Sequence, residues 1–193
     1  MVALHSLIQE HKVIGQLIDA LQEYVRRLRR EDNADPTDLA RFARAFREFA
    51  DEIHHEKEEG ILLPILARNG FHWDTGVLPE VRRDHRQERY LIEVLQHVAA
   101  RAGSWTNDDR RSIIATALAL IQFQREHMEL ENTRLFAEVP RRLPPESLAR
   151  LEAELDDFDN YVRQCGRYVE LDAVIAALLA HYTQDVEASR AAS

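Results

Sequence analysis

Residues 54 to 64 read His-His-Glu-Lys-Glu-Glu-Gly-Ile-Leu-Leu-Pro, a run of metal-ligating and acid–base groups at helical spacing. Four residues make slightly more than one helical turn, so His54 and Glu58 stand one above the other. Steps of three and four from His54 meet Ala50 and Phe46 in one direction and Glu58, Ile61, Leu62 and Ile65 in the other, which is a buried stripe. His55 and Glu59 repeat the spacing one residue along. Their face runs through Glu48, Asp51, Glu52 and Glu56, so both are expected to face solvent. An imidazole and a carboxylate aimed at an apolar interior require partners, because unpaired buried charge is expensive.

A second copy supplies them. His127 and Glu131 are again four apart, Leu120 and Phe123 precede them, and Leu135 follows on the same side. Laying the first half on the second aligns His11 with His85, and Leu17, Ile18 and Leu21 with Leu91, Ile92 and Leu95, at an offset of 74 residues; His54 and Glu58 fall on His127 and Glu131 at an offset of 73. Two helical hairpins with one ligand pattern therefore face each other. The set His11, His54, Glu58, His85, His127 and Glu131 describes a dinuclear metal site, with each glutamate able to bridge two cations. Imidazole with carboxylate suits iron, manganese or zinc. Two divalent cations outweigh two carboxylates in charge, which calls for an oxo, hydroxo or water bridge as well. Glu10 and Asp84 precede the lone histidines and are candidates to accept a hydrogen bond from a metal-bound ring. Glu88 aligns with core-facing Ile14 and is an alternative further ligand, although a solvated position is the expectation. His5, His72, His97 and His181 have no partner at ligand spacing, and Phe46, Tyr90 and Phe123 read as core.

The elements that position these groups are helices. Apolar residues recur at helical spacing from about Val2 to Arg30, and Asp35 with Pro36 opens a second helix that runs to Asn69-Gly70, with a kink expected at Pro64. A third runs from Pro79 to about Ala102 and a fourth from Thr106 or Asn107 to about Val139. Prolines at 140, 144 and 145 mark a hinge, after which two more helices cover 145 to 164 and 168 to about 187. The expected fold is all-α, an up-down-up-down four-helix bundle over residues 1–139. Residues 140–193 form a C-terminal helical hairpin, packed on a bundle edge or forming the surface of a homodimer.

Composition narrows the function classes. A net charge of −9 argues against a nucleic-acid backbone or an anionic membrane as the main partner. One cysteine, Cys165, fits a reducing compartment and excludes an internal disulfide. The N-terminal stretch lacks the apolar core of a secretory signal and no segment reaches a membrane span, so a cytoplasmic protein is expected.

The motifs His11, His54-x-x-x-Glu58, His85 and His127-x-x-x-Glu131, with Leu-Leu-Pro and Leu-Phe after the pairs, resemble the hemerythrin-like family of HHE cation-binding domains, bacterial type, over about residues 3–139. The resemblance implies two non-haem iron ions and a small ligand such as oxygen, nitric oxide or peroxide. Oxygen-carrying hemerythrins have a fifth histidine one turn beyond the single histidine of the third helix, and Arg89 occupies that position. The resemblance thus leaves open a binding or sensing protein, an enzyme that removes hydrogen peroxide, and iron storage or delivery.

Overall fold

The computed structural model describes residues 4–30, 34–101 and 104–191, with side chains described as far as Tyr182. Six helices order the described residues: α1 (His5–Arg29), α2 (residues 36–68), α3 (Val77–Ala99), α4 (residues 107–135), α5 (Pro145–Gln164) and α6 (Arg167–Ala191). A single helical turn, Val139–Arg142, joins α4 to α5, and no strand occurs among the described residues. The expected start of the first helix near Val2 and the expected end of the third near Ala102 lie outside them. The third helix begins two residues ahead of Pro79, and the sixth continues to Ala191.

Local chemistry sets the ends. The Asp35 carboxylate accepts the Thr37 N–H at 2.8 Å, with Pro36 in the first turn of α2. Thr106 and Asp109 exchange side-chain and backbone bonds at the start of α4. At the far end of α2, Phe71 N–H returns to the Leu66 carbonyl at 3.1 Å across Gly70, whose φ is 89°. A β-carbon at Gly70 would meet nothing within 4 Å, so the constraint there is purely backbone. Gly70→Ala is therefore expected to lose about 1–2 kcal/mol of stability in a denaturant titration, with no repacking of the core.

α1 packs along α4 and α6, α2 along α3 and α6, α3 along α4, while α5 lies against α6 and residues 58–62 of α2. Two apolar clusters form between them. The larger takes Leu17, Leu21 and Tyr24 from α1, Phe42 and Phe46 from α2, and residues of α3, α4, α5 and α6; the smaller takes Leu7, Leu62, Leu66, Val81, Leu135 and Leu155. The six candidate ligands lie between these clusters along α1, α2, α3 and α4, so a polar layer is enclosed by apolar ones. Tyr90 departs from expectation at 60% exposure. No helix among the described residues is long and apolar enough to cross a membrane.

α2 and α4 are not regular α-helices. Residues 46–55 and 58–62 of α2 and 131–135 of α4 are π-helical. The Glu56 N–H bonds to the Asp51 carbonyl, Leu63 N–H to Glu58, and Phe136 N–H to Glu131, each five residues back. At Pro64, where a kink is expected, the ladder has thus widened by one residue just before the missing N–H. The same widening starts at the glutamate of each His-x-x-x-Glu pair, so the internal repeat extends to the backbone. Single π turns inside α-helices are rare and concentrate at functional sites.

Candidate metal centre

His11, His54, Glu58, His85, His127 and Glu131 are all buried, and the structure brings them together. One donor atom from each of His11, His54, Glu58 and Glu131 lies within 4.8 Å of the others, and the same holds for Glu58, His85, His127 and Glu131. The two groups share both glutamates. Glu58 directs Oε1 toward His54 Nε2 (3.7 Å) and Oε2 toward His85 Nε2 (3.2 Å). Glu131 directs Oε2 toward His11 Nε2 (3.1 Å) and Oε1 toward His127 Nε2 (3.2 Å) and His85 Nε2 (3.6 Å). Each carboxylate divides its oxygens between two poles, one at His11 and His54 and the other at His85 and His127.

Two observations test whether cations fit. The Nε2 atoms of His11 and His54 are 3.0 Å apart. Metal–nitrogen bonds of about 2.1 Å meeting at a right angle separate their donors by about 3 Å, so the pair suits one shared ion. Moreover, both oxygens of Glu58, both of Glu131, and Nε2 of His85 and His127 are buried without hydrogen-bond partners. A buried polar atom left unpaired costs about 1–3 kcal/mol, and so many converging on one layer favour a shared cationic partner. Burial, reinforced by the facing Glu131 carboxylate, pushes the Glu58 carboxyl well above its ordinary range. Burial opposes protonation of His127, yet Glu131, Glu88 and Asp84 raise it to about 9. Both shifts mark a concentration of negative charge that cations would relieve.

The outer partners obey the repeat. His54 Nδ1 donates to Glu10 Oε2 at 3.0 Å, and Asp84, the counterpart of Glu10, lies 3.9 Å from His127 Nδ1. His85 Nδ1 donates to Glu59 Oε1 at 2.6 Å, and Asn132, which aligns with Glu59, accepts from His11 Nδ1 at 3.2 Å. The three hydrogen bonds fix the tautomers that leave Nε2 of His11, His54 and His85 free to bind a metal. Burial alone would raise the Glu59 carboxyl, but hydrogen bonds from His85 and Arg89 hold it down to about 2. Glu10 and Asp84 thus serve the paired histidine of the neighbouring helix rather than the lone histidine beside them in sequence.

Two expectations are corrected. His55 does not face solvent: it is 1% exposed, stacks on His85 at 3.8 Å between ring centroids, and offers a donor atom to a group with His85 and His127. Its partner Glu59 is half-buried against His85. In the π segment hydrogen bonds close five residues back and a turn holds more than four residues, which rotates His55 toward the side of buried Ala50, with buried Asp51 3.5 Å from its Nδ1. Glu88 is likewise fully buried rather than solvated, accepting from Gln124 at 2.7 Å and lying 3.2 Å from His55 Nε2. Arg89, in place of a fifth histidine, bonds Asp51 at 2.5 Å and Glu59 at 2.9 Å, clamping the carboxylates that face His55 and His85. His5, His72, His97 and His181 are exposed, as expected.

A model of the family described as the Hemerythrin HHE cation binding domain matches residues 2–139. The chain is 26% identical over 137 residues to an uncharacterized protein of Mycobacterium bovis and to one of Mycobacterium tuberculosis; the match covers 70% of this chain and 52% of each relative. It therefore spans about half the length of the curated relatives it matches. No solved structure matches the chain significantly.

Proposed function

The chain belongs to the hemerythrin HHE cation-binding family, and on that premise we propose that it is a cytoplasmic non-haem di-iron protein whose centre binds or senses oxygen, nitric oxide or peroxide. Helices α1–α4, within residues 1–139, form an up-down-up-down four-helix bundle in this reading, and residues 140–193 are an added hairpin docked on its α1–α2 side. His11, His54, Glu58, His85, His127 and Glu131 hold two cations, with His55 as a further donor at the His85–His127 pole. The observation that carries the reading is the division of each carboxylate's two oxygens between the poles. One carboxylate with one ion would need no such division.

Two iron ions bound there supply redox chemistry and exchangeable coordination positions. The chain's own residues do the rest. Glu10, Asn132 and Glu59 orient three of the imidazoles through Nδ1. The apolar clusters above and below exclude bulk water, which strengthens every charge interaction in the layer. Arg89 balances Asp51 and Glu59 at the second pole.

Elemental analysis of the purified chain is expected to find two irons per chain, and peroxide or oxygen added to the reduced protein should change its absorption spectrum. A stable adduct without turnover supports binding or sensing, whereas rapid loss of peroxide turns the reading to an enzyme. Two manganese or zinc ions would keep the dinuclear site and remove iron. A chain that takes up no metal refutes the proposal.

A further inference from the structure

Lys57 breaks the pseudo-symmetry of the two halves. Its counterpart, at the offset that maps His54 onto His127, is Leu130, which packs against the smaller apolar cluster. Lys57 is 0% exposed, and a lysine so placed must spend its charge on buried carboxylates. It has two. Its Nζ donates to Glu10 Oε1 and, at 2.8 Å, to Asp159 Oδ1. Glu10 uses its other oxygen, Oε2, to accept from Nδ1 of His54. Asp159 belongs to α5, outside the residues that the family model matches, and also accepts from the Tyr168 hydroxyl of α6 at 3.3 Å. A hydrogen-bonded path therefore runs from a ring at the His11–His54 pole, through α1 and α2, to Asp159 of α5, buried that far, and on to half-buried Tyr168 of α6.

We propose that Lys57 and Asp159 are positioning residues for His54, so that the hairpin forms part of the centre and regulates cation occupancy at the His11–His54 pole. The inference rests on the dinuclear reading above. Asp159 fixes the position of Lys57, and Lys57 in turn fixes Glu10 Oε1, so that Oε2 stays aimed at the His54 N–H and Nε2 at the ion. Neutralising Asp159 frees the lysine from that position and loosens the hold on Glu10. Outer hydrogen-bond partners of metal-bound histidines commonly contribute 10- to 100-fold in metal affinity. Linkage is reciprocal, so the factor by which the hairpin tightens the cation is the factor by which the cation tightens the docked hairpin.

The test is an anaerobic titration of the full chain with ferrous iron alone, wild type against Asp159→Asn, followed by hydrogen exchange on residues 145–164 with and without the metal. In Asp159→Asn the affinity of one of the two cations is expected to fall about 10-fold, the lower end of what a direct outer partner contributes, while the other is unchanged. The protection that metal confers on α5 in the wild type should vanish with it, and Asp159→Glu should restore both. The double variant Lys57→Met/Asp159→Leu, which removes both charges together and leaves Glu10 its bond to His54, is expected to fold and to show the same loss at one cation. Two cations bound at wild-type affinity in a folded variant, or an equal loss of both, overturns the proposal. A wild-type chain that binds no ferrous iron overturns the dinuclear reading itself, and this inference with it.

Discussion

Glu58→Gln is expected to take the purified protein from two cations per chain to fewer than one, and Glu131→Gln to do the same. Each glutamate has one oxygen at each pole, so a single amide weakens both ions at once. The loss should exceed the roughly 10- to 100-fold that follows removal of an outer hydrogen-bond partner. His54→Ala withdraws a donor from one pole only, and His55→Ala should weaken only the other, where its ring stacks on His85. Stability without metal should move the opposite way. Burial and the neighbouring Glu131 carboxylate disfavour the charged form of Glu58, so the neutral amide of the same shape should melt no lower than the wild-type chain stripped of metal. Full metal content with a large drop in stability would mean that Glu58 is a structural polar group and not a bridge. Elemental analysis and a thermal scan on the same preparations decide between them.

The interior placement of the six residues is legible in the sequence because each sits on an apolar stripe with helical period, and because the second half repeats the first. Six helices follow from the same stripes and from Asp35, Pro36, Thr106 and Gly70 at their ends. What escapes a period of 3.6 is the π segment of α2. Walking from His55 by threes and fours meets only acids, yet walking by five meets Ala50, and the repeat aligns His55 with Met128, which packs against the larger core. Position 57 carries the same signal, since its counterpart is the apolar Leu130. A polar residue in one half against an apolar one in the other marks an interior position put to new use, as Glu88 against Ile14 also does. The hairpin's share in the polar layer has no local signature, because Asp159 lies 102 residues from Lys57 and only the packing of α5 brings them together.

Phe42→Ala tests the fold apart from the centre, and should destabilise the chain by about 3–5 kcal/mol. For a chain of this length that is a fall of roughly 6–20 °C in Tm. Phe42 is fully buried, with ring centroids of Tyr24 at 5.6 Å and Tyr182 at 5.5 Å. Its removal leaves a cavity where α1, α2 and α6 meet. Tyr182→Phe should lose far less, about 1 kcal/mol: the ring stays and only its hydroxyl bond to Asp38, 2.6 Å, is given up, while Asp38 keeps Arg41 at 2.7 Å. Phe42 stands twelve residues before His54, about three turns away along α2. A ligand that binds only the native state raises stability by an amount set by its concentration and affinity alone. The increment in Tm on adding ferrous iron should therefore survive in Phe42→Ala, on a lower baseline, and disappear in Glu58→Gln, whose baseline is intact. If Phe42→Ala lost the increment as well, the aromatic cluster and the metal layer would be one cooperative unit, and the hairpin would reach the centre through its packing as well as through Lys57.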